Sequence, residues 1–151
     1  MHGLQGKPFY NKVTSERQTE ESASKEDDSG ITISSATDIV YSSLKPSEAV
    51  TISQQATTSQ TQSQPPTQQL QPEQQQQKAN QQQKSTLRIT RESLPDCTLW
   101  NPWQQGAESM SDFEPKDGYQ KMICVEPGAV ESWIRLEGGE VWEGRQMIRV
   151  E

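Results

Sequence analysis

The chain has 151 residues, a formal net charge of -7, a mean hydropathy of -0.95 and only 29% hydrophobic residues. This acidity, with no Lys/Arg-rich patch, argues against nucleic-acid binding and against docking on an anionic membrane surface. The longest apolar runs are four or five residues, too short to span a bilayer, and the first residues do not resemble a secretory signal.

The first half of the chain predicts turns, a loop and three short strands. Glycines and Pro8 mark turns in residues 1–13, where Phe9, Tyr10 and Val13 are expected to be buried anchors. The polar residues 14–30 predict an exposed loop. Short runs rich in β-branched residues then predict strands at 31–34 (ITIS), 37–44 (TDIVYSSL) and 49–53 (AVTIS).

A glutamine-rich tract interrupts this pattern. Residues 54–83 contain 15 glutamines in 30 positions. Such a tract buries too little apolar surface to offset the cost of ordering its backbone, so a disordered insertion is expected at 54–85. The strand pattern resumes at 86–92 (TLRITRE), which predicts a β-hairpin with AVTIS whose loop the insertion enlarges. The chain is thus divided into an N-terminal β segment (1–53), the insertion (54–85) and a C-terminal β segment (86–151).

The C-terminal segment predicts further strands and little helix. Strands are expected at 97–100, 121–126, 131–137 and 140–150, with a one-to-two-turn helix within 104–112. About eight short strands with minimal helix indicate an all-β, sandwich-like fold.

Glu126 is the strongest candidate for a chemical role. It ends the apolar run Met122–Val125 and precedes Pro127-Gly128. A carboxylate at the end of a buried strand is expected to be partly desolvated, which suits a general base. The alternative is an ordinary strand-end glutamate paired with Lys121 or Arg135.

Asp38 and the tryptophans are each open to two interpretations. Asp38 is either a binding carboxylate or an ordinary acid that caps a turn or faces solvent. Trp100 and Trp103 form an apolar corner around Pro102 that suits either sugar stacking or a hydrophobic core. Trp133 and Trp142 are expected in the core.

The cysteines and the histidine point to no metal site. Cys97 and Cys124 lack metal-ligand spacing and are interpreted as reduced, buried thiols of a cytoplasmic protein. His2 is interpreted as a poor candidate for a catalytic residue, and phosphate-loop, nucleophile-elbow and dinucleotide motifs are absent from the sequence.

Several motifs together resemble the glucose-6-phosphate 1-epimerases, also called hexose-6-phosphate mutarotases. LWNPW (99–103), DFEPKDGY (112–119), MICVEPG (122–128) and EVWEGRQ (140–146) resemble the end of these enzymes in order and spacing. GLQGKPFYNKV (3–13) and ITISSATDIVY (31–41) resemble segments that precede that end.

The resemblance implies a partial galactose-mutarotase-like β-sandwich and a cofactor-free exchange of the α and β anomers of a hexose 6-phosphate. It places Glu126 on the catalytic base and Asp38 on the acid that binds sugar hydroxyls. Ring opening needs a base at the C1 hydroxyl and an acid at the ring oxygen.

Two departures from the family pattern lead to a further expectation. The family's catalytic histidine and phosphate-binding arginines lie upstream of GLQG, and Ile39 stands where an arginine usually follows the aspartate. The chain is therefore expected to be catalytically incomplete alone. A carbohydrate-binding remnant and a Gln-rich interaction protein remain as alternatives.

Overall fold

The computed structural model describes residues 1–19, 30–54 and 85–151, which form a β-rich structure. Its strands are β1 (Phe9–Asn11), β2 (Glu16–Gln18), β3 (Thr37–Tyr41), β4 (Val50–Gln54), β5 (Ser85–Glu92), β6 (Asp96–Asn101), β7 (Cys124–Gly128) and β8 (Arg145–Val150). A short helix, α1 (Trp103–Ser109), and a 3-10 helix (Gly118–Lys121) lie between β6 and β7. The predicted insertion lies outside the described residues, except for its two end residues in β4 and β5.

The strands form two antiparallel sheets. One has the order β2-β1-β3-β6-β7 and the other the order β4-β5-β8. The predicted hairpin between AVTIS and TLRIT is confirmed, because β4 pairs with β5 in a register that joins Val50 to Ile89. The segments before and after the insertion each contribute strands to both sheets. The N-terminal and C-terminal segments therefore share both sheets.

The hydrophobic core lies between the two sheets. Tyr41, Cys97 and Leu99 contribute from the five-stranded sheet, and Val50 and Ile89 from the three-stranded one, all of them buried. β6 is nearly completely buried because it has β3 on one side and β7 on the other. Alternate residues along a strand face opposite sides of its sheet, so this core uses only one face of β3, β6 and β7.

The predicted strand at residues 31–34 is wrong. Ile31 instead exchanges backbone hydrogen bonds with Met1, at 2.7 and 2.8 Å. His2 forms an isolated bridge with Thr51 at β4. The backbone of the next residue, Gly3, approaches Ala49 so closely at a positive φ of 93° that a Cβ atom would collide with the Ala49 carbonyl.

Other predicted boundaries shift because hydrogen-bonding partners decide them. Polar β2 lies in the predicted loop and is a strand because it pairs with β1. The predicted short helix is confirmed, but it begins one residue before its predicted range, at Trp103, and ends at Ser109. The predicted strand 121–126 begins instead at Cys124, after the 3-10 helix, and continues through Pro127 to Gly128.

The predictions for residues 131–144 are mostly wrong. No strand forms at 131–137, and the predicted strand 140–150 is limited to β8. Trp133 is completely exposed and Trp142 is 41% exposed, so neither is a core residue among the described residues. Val13, a predicted anchor, is also exposed, whereas Phe9 packs against the core.

Candidate functional site

The structure brings both predicted site residues, Asp38 and Glu126, to one face of the five-stranded sheet. Asp38 of β3 lies opposite Trp100 of β6, which lies opposite Cys124 of β7. Glu126 lies opposite Thr98 in the neighbouring row. Directly opposed residues project from the same side of a sheet, as do residues two apart on a strand. Asp38 and Glu126 therefore share the face that points away from the core.

Strand spacing gives the scale of this candidate site. Asp38 and Glu126 are two strands apart and two residues out of row, which separates their Cα atoms by about 12 Å at the usual strand spacing and rise. Trp100 is half-buried and lies in the row of Asp38 on β6, the strand between β3 and β7. Two acids and a partly exposed indole can contact the hydroxyls and the apolar face of one sugar ring.

Asp38 forms an ion pair with Lys12, which directly follows β1. Its Oδ1 lies 3.1 Å from Nζ of Lys12, although this oxygen has no hydrogen bond of good geometry. The backbone N–H of Lys12 also donates to the Asp38 carbonyl oxygen at 2.8 Å. The carboxylate is about one-third exposed and lies within β3, so its interpretation as a turn cap is wrong.

Glu126 is exposed, so the expected partial desolvation is absent among the described residues. The reason is that β7 is the last strand of its sheet and no described strand covers its outer side. The alternative partners are also not engaged: Nε of Arg135 binds Glu137 at 2.8 Å, and no described cation lies within ion-pair distance of Glu126. The carboxylate is free to contact a ligand that approaches this face.

Asp96, which the sequence analysis missed, fixes the chain just beyond Glu126. It lies opposite Gly128 and projects from the same face as Glu126. Its side chain is buried, and its Oδ2 accepts hydrogen bonds from the backbone N–H groups of Val130 (2.6 Å) and Glu131 (2.8 Å). These two hydrogen bonds to a carboxylate attach the segment after β7 to the start of β6. Its only sequence signal is an acid after Pro95 at the start of an apolar run.

An arginine, Arg17, is also positioned near this face from the opposite edge of the sheet. Its guanidinium lies over the ring of Tyr10, 4.8 Å from the centroid, and forms an ion pair with Glu131. Tyr10 occupies the same row as Val40, Thr98 and Glu126. Arg17 could not be predicted as a site residue, because it occurs in a polar stretch without periodicity.

The WNPW corner is organised by the buried Asn101. Its Nδ2 donates to the carbonyl oxygens of Tyr119 (2.8 Å) and Met122 (2.9 Å), and its Oδ1 accepts from the N–H of Trp103 (2.8 Å). These bonds connect the end of β6 to the segment that leads into β7. They also hold Trp103 at a positive φ of 57°, where its ring packs 5.2 Å from that of Tyr119. Trp103 is therefore used in packing at this corner.

Both cysteines are free thiols. Burial raises the pKa of the Cys97 thiol to about 11 on the core face. Burial, and then the charge of Glu126, raise the pKa of Cys124 on the candidate face. Both thiols therefore remain protonated at neutral pH, which makes them poor nucleophiles and poor metal ligands. The described residues contain no group of three side chains suited to hold a metal ion.

Comparison with known proteins identifies the family. The family model described as aldose 1-epimerase matches residues 10–149, which is most of the chain. The chain belongs to the aldose 1-epimerase family. The match agrees with the antiparallel sheets seen here, which form a partial galactose-mutarotase-like β-sandwich. No helix among the described residues is long and apolar enough to cross a membrane.

One curated relative adds a more specific likeness. It is named "Putative glucose-6-phosphate 1-epimerase", comes from Cenchrus ciliaris, and is 50% identical to this chain over 60 residues. Those residues are 40% of this chain and 18% of the relative. The chain thus aligns with about one-fifth of the relative's length.

Proposed function

We propose that this aldose 1-epimerase family member acts on a hexose 6-phosphate, with Glu126 as the base at the C1 hydroxyl and Asp38 as a ligand of the sugar hydroxyls. The observation that carries the proposal is the placement of both carboxylates on one face of β3, β6 and β7, with Trp100 on the same face of the strand between them. The short likeness to a protein named as a glucose-6-phosphate 1-epimerase supports the choice of substrate.

The chemistry of anomer exchange fits these two acids. Glu126 would take the proton of the C1 hydroxyl while a general acid protonates the ring oxygen, so that the C1–O5 bond breaks and the aldehyde forms. Rotation about the C1–C2 bond and ring closure then give the other anomer, and each proton returns in the reverse step. An exposed Glu126 is suited to this role only when bound sugar shields it from water.

The general acid of the reaction is not a histidine of the candidate face. His2 is the single histidine of the chain and pairs with Thr51 at the three-stranded sheet. We therefore propose that the chain supplies the base and the hydroxyl-binding residue, and that the acid comes from another polypeptide segment. A missing general acid lowers the rate by about 10² to 10⁴, so the 151-residue chain is expected to show no anomer exchange above background.

A second candidate function is carbohydrate binding without turnover. The half-buried Trp100 beside Asp38 favours it, since an indole and a carboxylate can bind a sugar without any acid at the ring oxygen. The two free thiols are consistent with the cytoplasmic location that we propose for either function.

Magnetisation-transfer NMR on glucose 6-phosphate distinguishes these functions. It would be applied to the chain alone and to a fusion with the N-terminal half of the Cenchrus ciliaris relative placed before Gly3. We expect exchange only in the fusion, abolished by Glu126→Gln and weakened in KM by Asp38→Asn. Glu137→Gln is the matched control, because Glu137 pairs only with the exposed Arg135.

Each outcome bears on one assignment. An active fusion that keeps its rate with Glu126→Gln would refute the base. A folded, inactive fusion that still binds glucose 6-phosphate through Asp38 would favour the binding function instead. Turnover by the chain alone would refute the proposal that the acid comes from elsewhere.

A further inference from the structure

β8 is an edge strand of the three-stranded sheet. β8 pairs with β5 on one side, and no strand among the described residues pairs with its other side. All six of its side chains are exposed, including Met147 (50%), Ile148 (58%) and Val150 (76%). An exposed strand with an unpaired edge is a template for another strand.

The hydrogen bonds to β5 decide which backbone groups this edge presents. Thr86 and Glu151 exchange two hydrogen bonds, at 3.0 and 2.8 Å. Antiparallel pairs alternate between bonded and non-bonded, so the residues bonded to β5 are the odd-numbered ones. The N–H and C=O groups of Gln146, Ile148 and Val150 therefore point away from β5, towards the free edge.

We propose that this edge binds a second copy of the same chain, with two β8 strands pairing antiparallel about a two-fold axis at Ile148. In this register Ile148 exchanges both hydrogen bonds with Ile148 of the partner subunit, and Gln146 pairs with Val150 of the partner subunit. The outward-pointing groups of both strands are then satisfied. The three-stranded sheets join into one continuous sheet of six strands, an isologous contact.

Charge selects this register over its two neighbours. With the axis at Ile148, Arg145 lies opposite Glu151 of the partner subunit, and the symmetry makes this attractive pair twice. Moving the axis to Met147 would instead oppose Arg145 to Arg149 of the partner subunit. Moving it to Arg149 would oppose two arginines at the axis. Opposite charges across a strand pair stabilise it and like charges destabilise it.

The apolar side chains of β8 also favour a second copy of the chain as the partner. Leu87 and Val150 are cross-strand partners, as are Ile89 and Ile148, so Ile148 and Val150 extend the core-facing side of the sheet. Ile89 is buried, but Ile148 and Val150 are exposed beyond it. A second β8 would place its own Ile148 directly opposite Ile148, and its Val150 diagonally next to it, and so remove apolar surface from water.

Sedimentation velocity over a concentration series tests the proposal on the whole 151-residue chain. We expect a reversible monomer–dimer equilibrium in which Arg145→Glu weakens dimerisation on the order of tenfold, because two attractive pairs become repulsive. Arg149→Glu makes the same charge change on the same strand but faces Met147 of the partner subunit, so it should weaken dimerisation less. Adding Glu151→Arg to Arg145→Glu should restore dimerisation.

Three results would overturn the proposal: a monomer at every concentration, equal effects of Arg145→Glu and Arg149→Glu, or no rescue by Glu151→Arg. Circular dichroism of each variant checks that the fold is retained. An association that ignores all three charge changes would assign the contact to another surface, such as the one around the exposed Trp133.

Discussion

The substitution Asn101→Asp tests how the WNPW corner is held together. The change is isosteric, but it removes the two N–H donors that bind the carbonyl oxygens of Tyr119 and Met122. Asn101 is 2% exposed, so water cannot replace these bonds. Each buried polar group left without a partner costs about 1–3 kcal/mol, and here both carbonyls would also face a negative charge. We expect a loss of about 3–5 kcal/mol in the free energy of unfolding.

Urea unfolding followed by tryptophan fluorescence measures this loss, and Asn11→Asp provides a matched control. Asn11 uses only its Oδ1, which accepts from the N–H groups of Val13 (3.0 Å) and Thr14 (3.3 Å). A carboxylate keeps both of those bonds, so the same chemical change should alter stability by no more than about 0.5 kcal/mol. Equal urea midpoints for the two variants would show that the donors of Asn101 do not stabilise the corner.

Three further predictions follow from the described contacts. Because the pKa of Cys97 is raised from 9.0 to about 11, the unfolded chain loses this proton first, and stability should fall by roughly 2–3 kcal/mol as the pH rises from about 9 to 11. Urea unfolding across that pH range measures how the free energy of unfolding falls with pH, and this contribution should be absent in Cys97→Ala. The same fall in Cys97→Ala as in the unchanged chain would contradict the prediction. Asp96→Asn should cost about 1–3 kcal/mol and speed hydrogen exchange at the amides of Val130 and Glu131, whereas the exposed Asp112→Asn should do neither. Replacing residues 55–84 by Asn-Gly would connect the paired residues Gln54 and Ser85 through a two-residue turn. A disordered insertion of thirty residues costs loop-closure entropy, so this shortening should raise the free energy of unfolding by about 2 kcal/mol. No gain in stability would argue against the proposed disordered insertion.

The elements that the sequence predicts well are those whose own pattern decides their structure. β3, β4, β5 and β6 are runs of β-branched and apolar residues between turn residues, and each forms close to its predicted position. The β4–β5 hairpin could be predicted because its two strands are neighbours in the chain on either side of a polar tract. In these cases local propensity and final structure agree.

The wrong predictions occur where the presence of a neighbouring strand decides the outcome. The segment 131–137 has the alternating pattern of a strand, yet it remains irregular because no described strand hydrogen-bonds to it. β2 has the polar sequence Glu-Arg-Gln and is a strand because β1 offers it an edge. Propensity describes how well a residue suits a sheet, and it cannot supply the partner.

The candidate site depends on the same pairing, but through the register of central strands. No local pattern relates Asp38 to Glu126, which are far apart in the chain. They meet on one face because β6 pairs with β3 and with β7, with Trp100 and Thr98 at the matching positions. Recognising the motifs of a family could name these two residues, but only the register explains why they face the same way.

Core and candidate site alternate along the three strands that carry them. Ile39, Leu99 and Val125 form one row that faces the core, and each directly adjoins a candidate-face residue: Asp38, Trp100 and Glu126. A one-residue slip of β7 would bury the carboxylate of Glu126 against Leu99 and expose Val125, which combines the cost of burying an unpaired charge with the loss of apolar burial. The hydrophobic contacts of Val125 therefore also fix Glu126 on the face of Asp38. Stability in the core and geometry at the candidate site are determined by one and the same strand register.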